Sequence, residues 1–132
     1  MFIDASALVA MIVGEPDAGR LAARMEGAVS RRTSPIAVYE TAAAVARILA
    51  ISIDDAEAAV SDVLRVGSIR VNAVPAEAAT LALEAFARFG KGRGHPAQLN
   101  MGDCFAYACA RHFDEPLLFK GSDFSRTDIE AA

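Results

Sequence analysis

The chain has no tryptophan, only two cysteines and two histidines, and two lysines against eleven arginines in 132 residues. Cys104 and Cys109 are five apart, which on a helix sets them roughly 140° around the axis and about 7.5 Å along it. A disulfide inside an intact helix is therefore excluded, and the spacing does not suit a zinc ligand pair. A reducing, cytoplasmic setting is expected from this usage. No long apolar run is present either: the longest, Ala7 to Val13, falls far short of the ~20 residues that cross a bilayer, so no membrane association is expected. Met1-Phe2-Ile3 leads straight into Asp4 without a basic stretch, so a cleaved secretion signal is not expected. Glycine and proline number 9 and 5, too few for a low-complexity chain, and no internal repeat is found.

What is abundant is alanine, at 29 positions, within a composition that is 54% hydrophobic and 23% charged. That combination supports one folded, helix-rich domain spanning residues 1–132. The strong preference for arginine over lysine, with so much alanine, suits a GC-rich bacterial genome. The formal net charge of −4 argues, on its face, against a protein built to coat nucleic acid.

Pattern and punctuation predict an alternation of short strands and helices. Phe2-Ile3 reads as a buried strand that turns at Asp4 into a helix, and Pro16 opens a second helix running to about Gly27. Val29 to Thr33 is a possible strand. Ser34-Pro35, a capping side chain followed by proline at the first helical position, starts a helix through Ile51. Ser52 starts another that ends near Gly67, and the two form a hairpin. Ile69 to Val74 reads as a strand, and Pro75 with Glu77 begins a helix through Phe89. The stretch Gly90-Lys91-Gly92-Arg93-Gly94-His95-Pro96 reads as a loop. Asn100 caps a helix over Met101 to Phe113, and Leu117 to Phe119 forms the last strand. The fold class is α/β, a small three-layer sandwich around a mainly parallel sheet with an added helical hairpin.

Parallel sheets collect functional groups beyond the carboxyl ends of their strands. Asp4 follows the first strand, Asp123 follows the last, and Asp103 lies in the first turn of the helix leading into that last strand. Each has an ordinary explanation as a helix cap. Glu40 does not share it, because at the sixth position of its helix it stands among Val38, Tyr39, Thr41, Ala42 and Ala43 with no neighbouring charge. Four carboxylates gathered without lysine or arginine partners repel one another unless a cation compensates them, and oxygen-only donors select Mg²⁺ or Mn²⁺ over Zn²⁺. The aromatics Phe86, Phe89, Phe105 and Phe113 recur at near-helical spacing and read as core. Cys104 and Cys109 read as small buried apolar residues, and His112 as a charge at a helix C-terminus.

These residues carry a resemblance. The opening Met1-Phe2-Ile3-Asp4-Ala5-Ser6-Ala7-Leu8, the Val38-Tyr39-Glu40-Thr41 segment, Leu99-Asn100-Met101-Gly102-Asp103-Cys104-Phe105-Ala106-Tyr107-Ala108, and the run from Leu117 through Lys120-Gly121-Ser122-Asp123 to Ile129 resemble the PIN-domain family. More closely, they are similar to the VapC ribonuclease toxins of bacterial toxin–antitoxin pairs, in the same order and spacing over residues 1 to about 130.

The resemblance implies a PIN-like sandwich and an acidic quartet of Asp4, Glu40, Asp103 and Asp123. It assigns metal ligation chiefly to Asp4 and Asp103, with Glu40 and Asp123 serving a second ion or holding water. Ser6 matches a hydroxyl position beside the first acid. Ser122 stands where many relatives of this subgroup carry Asp or Asn. The implied activity is Mg²⁺-dependent endonucleolytic hydrolysis of RNA, with Mn²⁺ as a substitute, leaving 5′-phosphate and 3′-hydroxyl ends. The implied partners are a VapB-type antitoxin and a second copy in a homodimer.

For the RNA itself, the positive candidates are Lys91, Arg93 and His95 on the glycine loop, with Arg88 nearby, and Lys120 and Arg126 flanking the last acid. Two alternatives stay open at this stage: a receiver-type phosphoacceptor module, and a PIN-fold interaction module without catalysis.

Overall fold

The computed structural model of the chain describes residues 1–132. Four two-residue strands, β1 (Phe2–Ile3), β2 (Arg32–Thr33), β3 (Arg70–Val71) and β4 (Leu117–Leu118), form one sheet in the order β3-β2-β1-β4, and every pairing is parallel. Six helices surround it: α1 (Ala5–Val13), α2 (Ala18–Glu26), α3 (Pro35–Leu49), α4 (Ile53–Val66), α5 (Ala78–Phe89) and α6 (Met101–His112). A closing 3₁₀ turn covers Phe124–Arg126.

Strand periodicity divides the interior into two cores. Phe2 and Leu117, paired in register, point to one face and pack with Ala82, Ala85, Phe89 and Tyr107 of α5 and α6. Their successors Ile3 and Leu118 point to the other face and meet Leu8 of α1 and Leu21 and Met25 of α2. The result is the expected three-layer α/β/α sandwich. The hairpin of α3 and α4 adds a third, small core in which Val45, Ala46 and Ala56 meet Val9, Ile12 and Ile51. No helix is long and apolar enough to cross a membrane.

Local chemistry explains the helix starts. The Ser34 hydroxyl accepts the Ala37 N–H at 3.2 Å ahead of Pro35, and Ser52 caps α4 through the Asp55 N–H. Asn100 and Asp103 form a reciprocal capping box at α6, each side chain accepting the other's backbone N–H.

Several boundaries differ from expectation. The strands expected over 29–33 and 69–74 contract to two residues each, because only Arg32–Thr33 and Arg70–Val71 find ladder partners. The second helix begins at Ala18 rather than Pro16, with residues 15–17 in a turn closed by the Ala18 N–H on the Glu15 carbonyl. The helix expected to reach Ile51 stops at Leu49, where Ala50 adopts a left-handed φ of 53°. Phe86, expected in the core, is 40% exposed. With Leu83, Met101 and Phe105 it lines an apolar groove between α5 and α6 instead.

Candidate metal centre

The carboxyl ends of β1 and β4 meet at Asp4 and Lys120. The Asp4 N–H continues the ladder onto the Leu118 carbonyl at 2.9 Å, which fixes the residue where β1 gives way to α1. Its side chain, 3% exposed, caps α1: the Ser6 N–H reaches Oδ2 at 2.9 Å and the Ser6 hydroxyl donates to the same oxygen at 2.5 Å. The Ser6 hydroxyl in turn accepts the Lys120 N–H at 3.0 Å. One hydroxyl thereby ties the first acid to the loop after β4. Thr33 braces the same end of the sheet, donating its hydroxyl to the Ile3 carbonyl at 2.9 Å.

A cleft of about 630 Å³ opens above this edge. Asp4, Ser6, Glu40 and Asp103 line it, together with Asn100, Glu15, Lys120 and the α3 residues Tyr39 and Arg47. Glu40 comes from the second turn of α3, and its carboxylate lies directly against the α carbon of Gly102 in α6; a methyl group there would overlap it. Asp123 lies at the start of the 3₁₀ turn and makes no capping hydrogen bond. Its charge is felt at Asp103.

The electrostatics follow from this crowding. Burial raises the Asp4 carboxyl above its ordinary value, against the opposing effect of the Ser6 hydrogen bonds. Glu40 is raised by burial and by Asp4. Asp103 is pushed up to about 7, first by burial and then by Asp4, Glu40 and Asp123, against the Asn100 N–H that favours its charged form. None of the four acids has an ion-pair partner; the nearby Lys120 ammonium pairs with Glu15.

As folded, no three acidic, histidine or cysteine side chains close into a ligand cage. The donor set nevertheless fits a hard divalent cation: it is anionic, oxygen-only and unpaired, and Asp4, Glu40 and Asp103 face one cleft while Asp123 lies outside its lining but close enough for its charge to reach Asp103, a combination that carboxylates adopt at a cost unless positive charge joins them. The nearest sulfur donor, Cys104, is buried with its thiol pushed up to about 11.

The other residues expected to meet RNA are differently placed. Lys91, Arg93, His95 and Arg126 do not line the cleft. The glycine loop folds back on itself through the Lys91 N–H to Leu99 carbonyl bond so that Asn100 can cap α6, which directs its side chains toward α5. Arg93 lies over the Phe86 ring at 5.7 Å, the His95 Nδ1 accepts the Ala97 N–H, and the Arg126 guanidinium donates to the Pro96 carbonyl. Arg88 is bound to Asp128, which also accepts the Tyr107 hydroxyl proton. Lys120 does reach the cleft, but holds Glu15 there.

Sequence reasoning missed Gly102, Glu15, Tyr39 and Arg47. The signal for Arg47 was available, since seven residues from Glu40 is two helical turns and returns to the same face.

Comparison with known proteins identifies the family and the fold. The PIN domain family model matches residues 1–130. A VapC ribonuclease of Mycobacterium bovis is 39% identical over 132 residues, covering 100% of this chain and 98% of that protein. The ribonuclease VapC of Mycolicibacterium smegmatis is 42% identical over 134 residues, with coverage of 99% and 98%. A VapC ribonuclease of Rhizobium meliloti is 36% identical over 139 residues, with coverage of 97% and 98%. Among solved structures, the crystal structure of Mycobacterium tuberculosis VapC20, described as a toxin cleaving the sarcin–ricin loop, superposes with a TM-score of 0.76 at 21% identity, covering 99% of this chain and 97% of that one, and supports the fold. The chain belongs to the PIN-domain family and, within it, to the VapC ribonucleases.

Proposed function

We propose that the protein is a Mg²⁺-dependent endoribonuclease and the toxin of a toxin–antitoxin pair, with Mn²⁺ able to replace Mg²⁺, and that a VapB-type antitoxin silences it by occupying the acidic cleft. The observation that carries this reading is the gathering of Asp4, Glu40 and Asp103 in one cleft, with the Asp123 charge beside them and no counter-cation drawn to any of the four.

Asp4 and Asp103 are the residues assigned to hold the ion. Both Ser6 hydrogen bonds on Asp4 land on Oδ2, and the Asn100 N–H reaches Oδ2 of Asp103, so each of the two carboxylates that would hold the ion is fixed by its neighbours at one oxygen. When bound, the cation supplies Lewis acidity and neutralises charge building on the phosphoryl oxygens. Ser6 holds Asp4 in one rotamer, and Gly102 lets the Glu40 carboxylate approach α6 closely. Either Glu40 or Asp123 takes one proton from the attacking water, whose oxygen bonds to phosphorus as the bond from phosphorus to the 3′-oxygen breaks; that oxygen takes up a proton from solvent, which leaves 5′-phosphate and 3′-hydroxyl ends.

A receiver-type module needs paired acids after its first strand and a phosphoacceptor Asp after a middle one, whereas β1 is followed here by the single acid Asp4 and then Ala5, and β2 by Ser34 and Pro35. Replacing Asp4 by Asn tests the proposal. Total RNA exposed to wild type in Mg²⁺ gains new 5′-phosphate ends, while the folded Asp4→Asn protein generates none above background; equal cleavage by both proteins overturns it.

A further inference from the structure

The α3 wall of the cleft carries more than Glu40. Tyr39, Glu40, Ala43, Ala44, Arg47 and Ile48 follow one another at helical spacing and all face the cavity. Arg47 is exposed and makes no ion pair, whereas the other cation lining the cleft, Lys120, is held by Glu15. A basic residue in the last turn of α3 is favoured by the helix dipole, but that preference does not select the cleft-facing side. Tyr39 is 74% exposed, so its ring contributes little to any core. Between the two, Ala43 and Ala44 leave a floor of small side chains on which an extended chain can lie close to the helix.

We propose that Tyr39 and Arg47 form a strip that binds single-stranded RNA beside the acids, Tyr39 stacking on an unpaired base and Arg47 contacting a phosphate beyond the one being cut. The assignment rests on the ribonuclease reading above and adds the direction in which the substrate runs. Seven residues of helix separate Glu40 from Arg47 by about 10 Å along the axis, and no carboxylate of the cleft lies within ion-pair distance of the guanidinium. A polyanion entering an acidic cleft needs a fixed positive contact away from the reacting phosphate, and Arg47 is the unengaged one. An exposed aromatic face accepts a base only when that base is free of its own stack, which selects single strands or loops over duplex.

The test measures binding and cleavage separately, for wild type, Arg47→Gln, Tyr39→Ala, Tyr39→Phe and, as a charge-matched control on the α2 surface, Arg20→Gln. Anisotropy of a labelled single-stranded oligoribonucleotide in divalent-free buffer gives affinity and its salt dependence. Arg47→Gln is expected to weaken binding about tenfold and to reduce the slope of log K against log salt by about 0.7. Tyr39→Ala is expected to weaken binding by roughly fivefold or more, and Tyr39→Phe to retain it. In Mg²⁺, KM rises in Arg47→Gln and Tyr39→Ala with kcat less affected, and Mn²⁺ binding by calorimetry is unchanged in both. Arg20→Gln behaves as wild type.

Affinity and slope within twofold of wild type in both Arg47→Gln and Tyr39→Ala overturn the strip while leaving the ribonuclease reading intact. A wild-type protein that binds the oligonucleotide but neither binds Mn²⁺ nor cleaves RNA overturns that reading, with the strip still judged by the binding data. A wild type that does not bind the oligonucleotide overturns the strip outright.

Discussion

Asp103 is where the strain of the cleft is concentrated. Its carboxyl sits at about 7 against an ordinary 3.8, so between those values the folded metal-free protein holds a proton that the unfolded chain has released. Stability must then fall as pH rises from about 4 to about 7 and level off above, because the native state binds more protons across that window. Full conversion at ~1.4 kcal/mol per pH unit overstates the effect for a carboxyl still in contact with water, and on the order of 1–2 kcal/mol remains after screening. Asp103→Asn is therefore expected to be more stable than wild type at pH 8 without divalent ions, and nearly equal at pH 4. Urea denaturation at the two pH values measures this, and a variant equally destabilised at both would refute it. The positions of Asp4, Asp103 and Glu40 were legible because each interrupts a pattern: a strand that ends on an acid, an acid beside a cap, and a lone charge among apolar neighbours. That the glycine-loop cations lie outside the cleft was not legible, for a physical reason: composition reveals that a loop is basic but not which way the flanking helices turn it.

At the level of elements, the contact that sets the site is between α3 and α6. Two helices deliver Glu40 and Asp103, and at Gly102 the absence of a side chain lets the Glu40 carboxylate lie against α6. Gly102 is not a turn residue, and helical propensity alone favours alanine there by about 1 kcal/mol. Gly102→Ala is thus expected to keep or raise the melting temperature while displacing Glu40 and lowering kcat tenfold or more. A thermal melt with a cleavage assay checks both halves, and undiminished cleavage would separate Glu40 from the chemistry. The helices themselves were readable because Ser34-Pro35, Ser52 and Asn100 announce their starts through side-chain acceptors. The strands were less so. Two-residue strands carry too little alternation to fix their ends, and their pairing depends on neighbours distant in sequence, as when Phe2 sits opposite Leu117.

For the whole molecule, the net charge of −4 is numerically that of the proposed quartet, so the remainder of the chain is formally neutral. An acidic total therefore does not weigh against an RNA substrate; three of those four charges line one cleft and the fourth, Asp123, lies near enough to act on Asp103. A ligand that compensates this charge and binds only the native state must stabilise the fold. Mn²⁺ at a hundredfold excess over its Kd is expected to add about 2.7 kcal/mol, roughly 10 °C in Tm for a domain of this size, to wild type and far less to Asp4→Asn. Equal shifts in calorimetric melts of the two would place the bound ion elsewhere. The Ser6 hydroxyl, joining Asp4 to the Lys120 backbone, has a further consequence during synthesis. A ribosome making roughly 5–20 residues per second releases Asp4 and Asp123 about 6–24 s apart, and until β4 arrives β1 has only β2 beside it and the backbone N–H that Ser6 awaits does not exist. A nascent or stalled chain thus holds Asp4, Glu40 and Asp103 without the strand that aligns the first of them, so its site is assembled only when the chain is nearly complete.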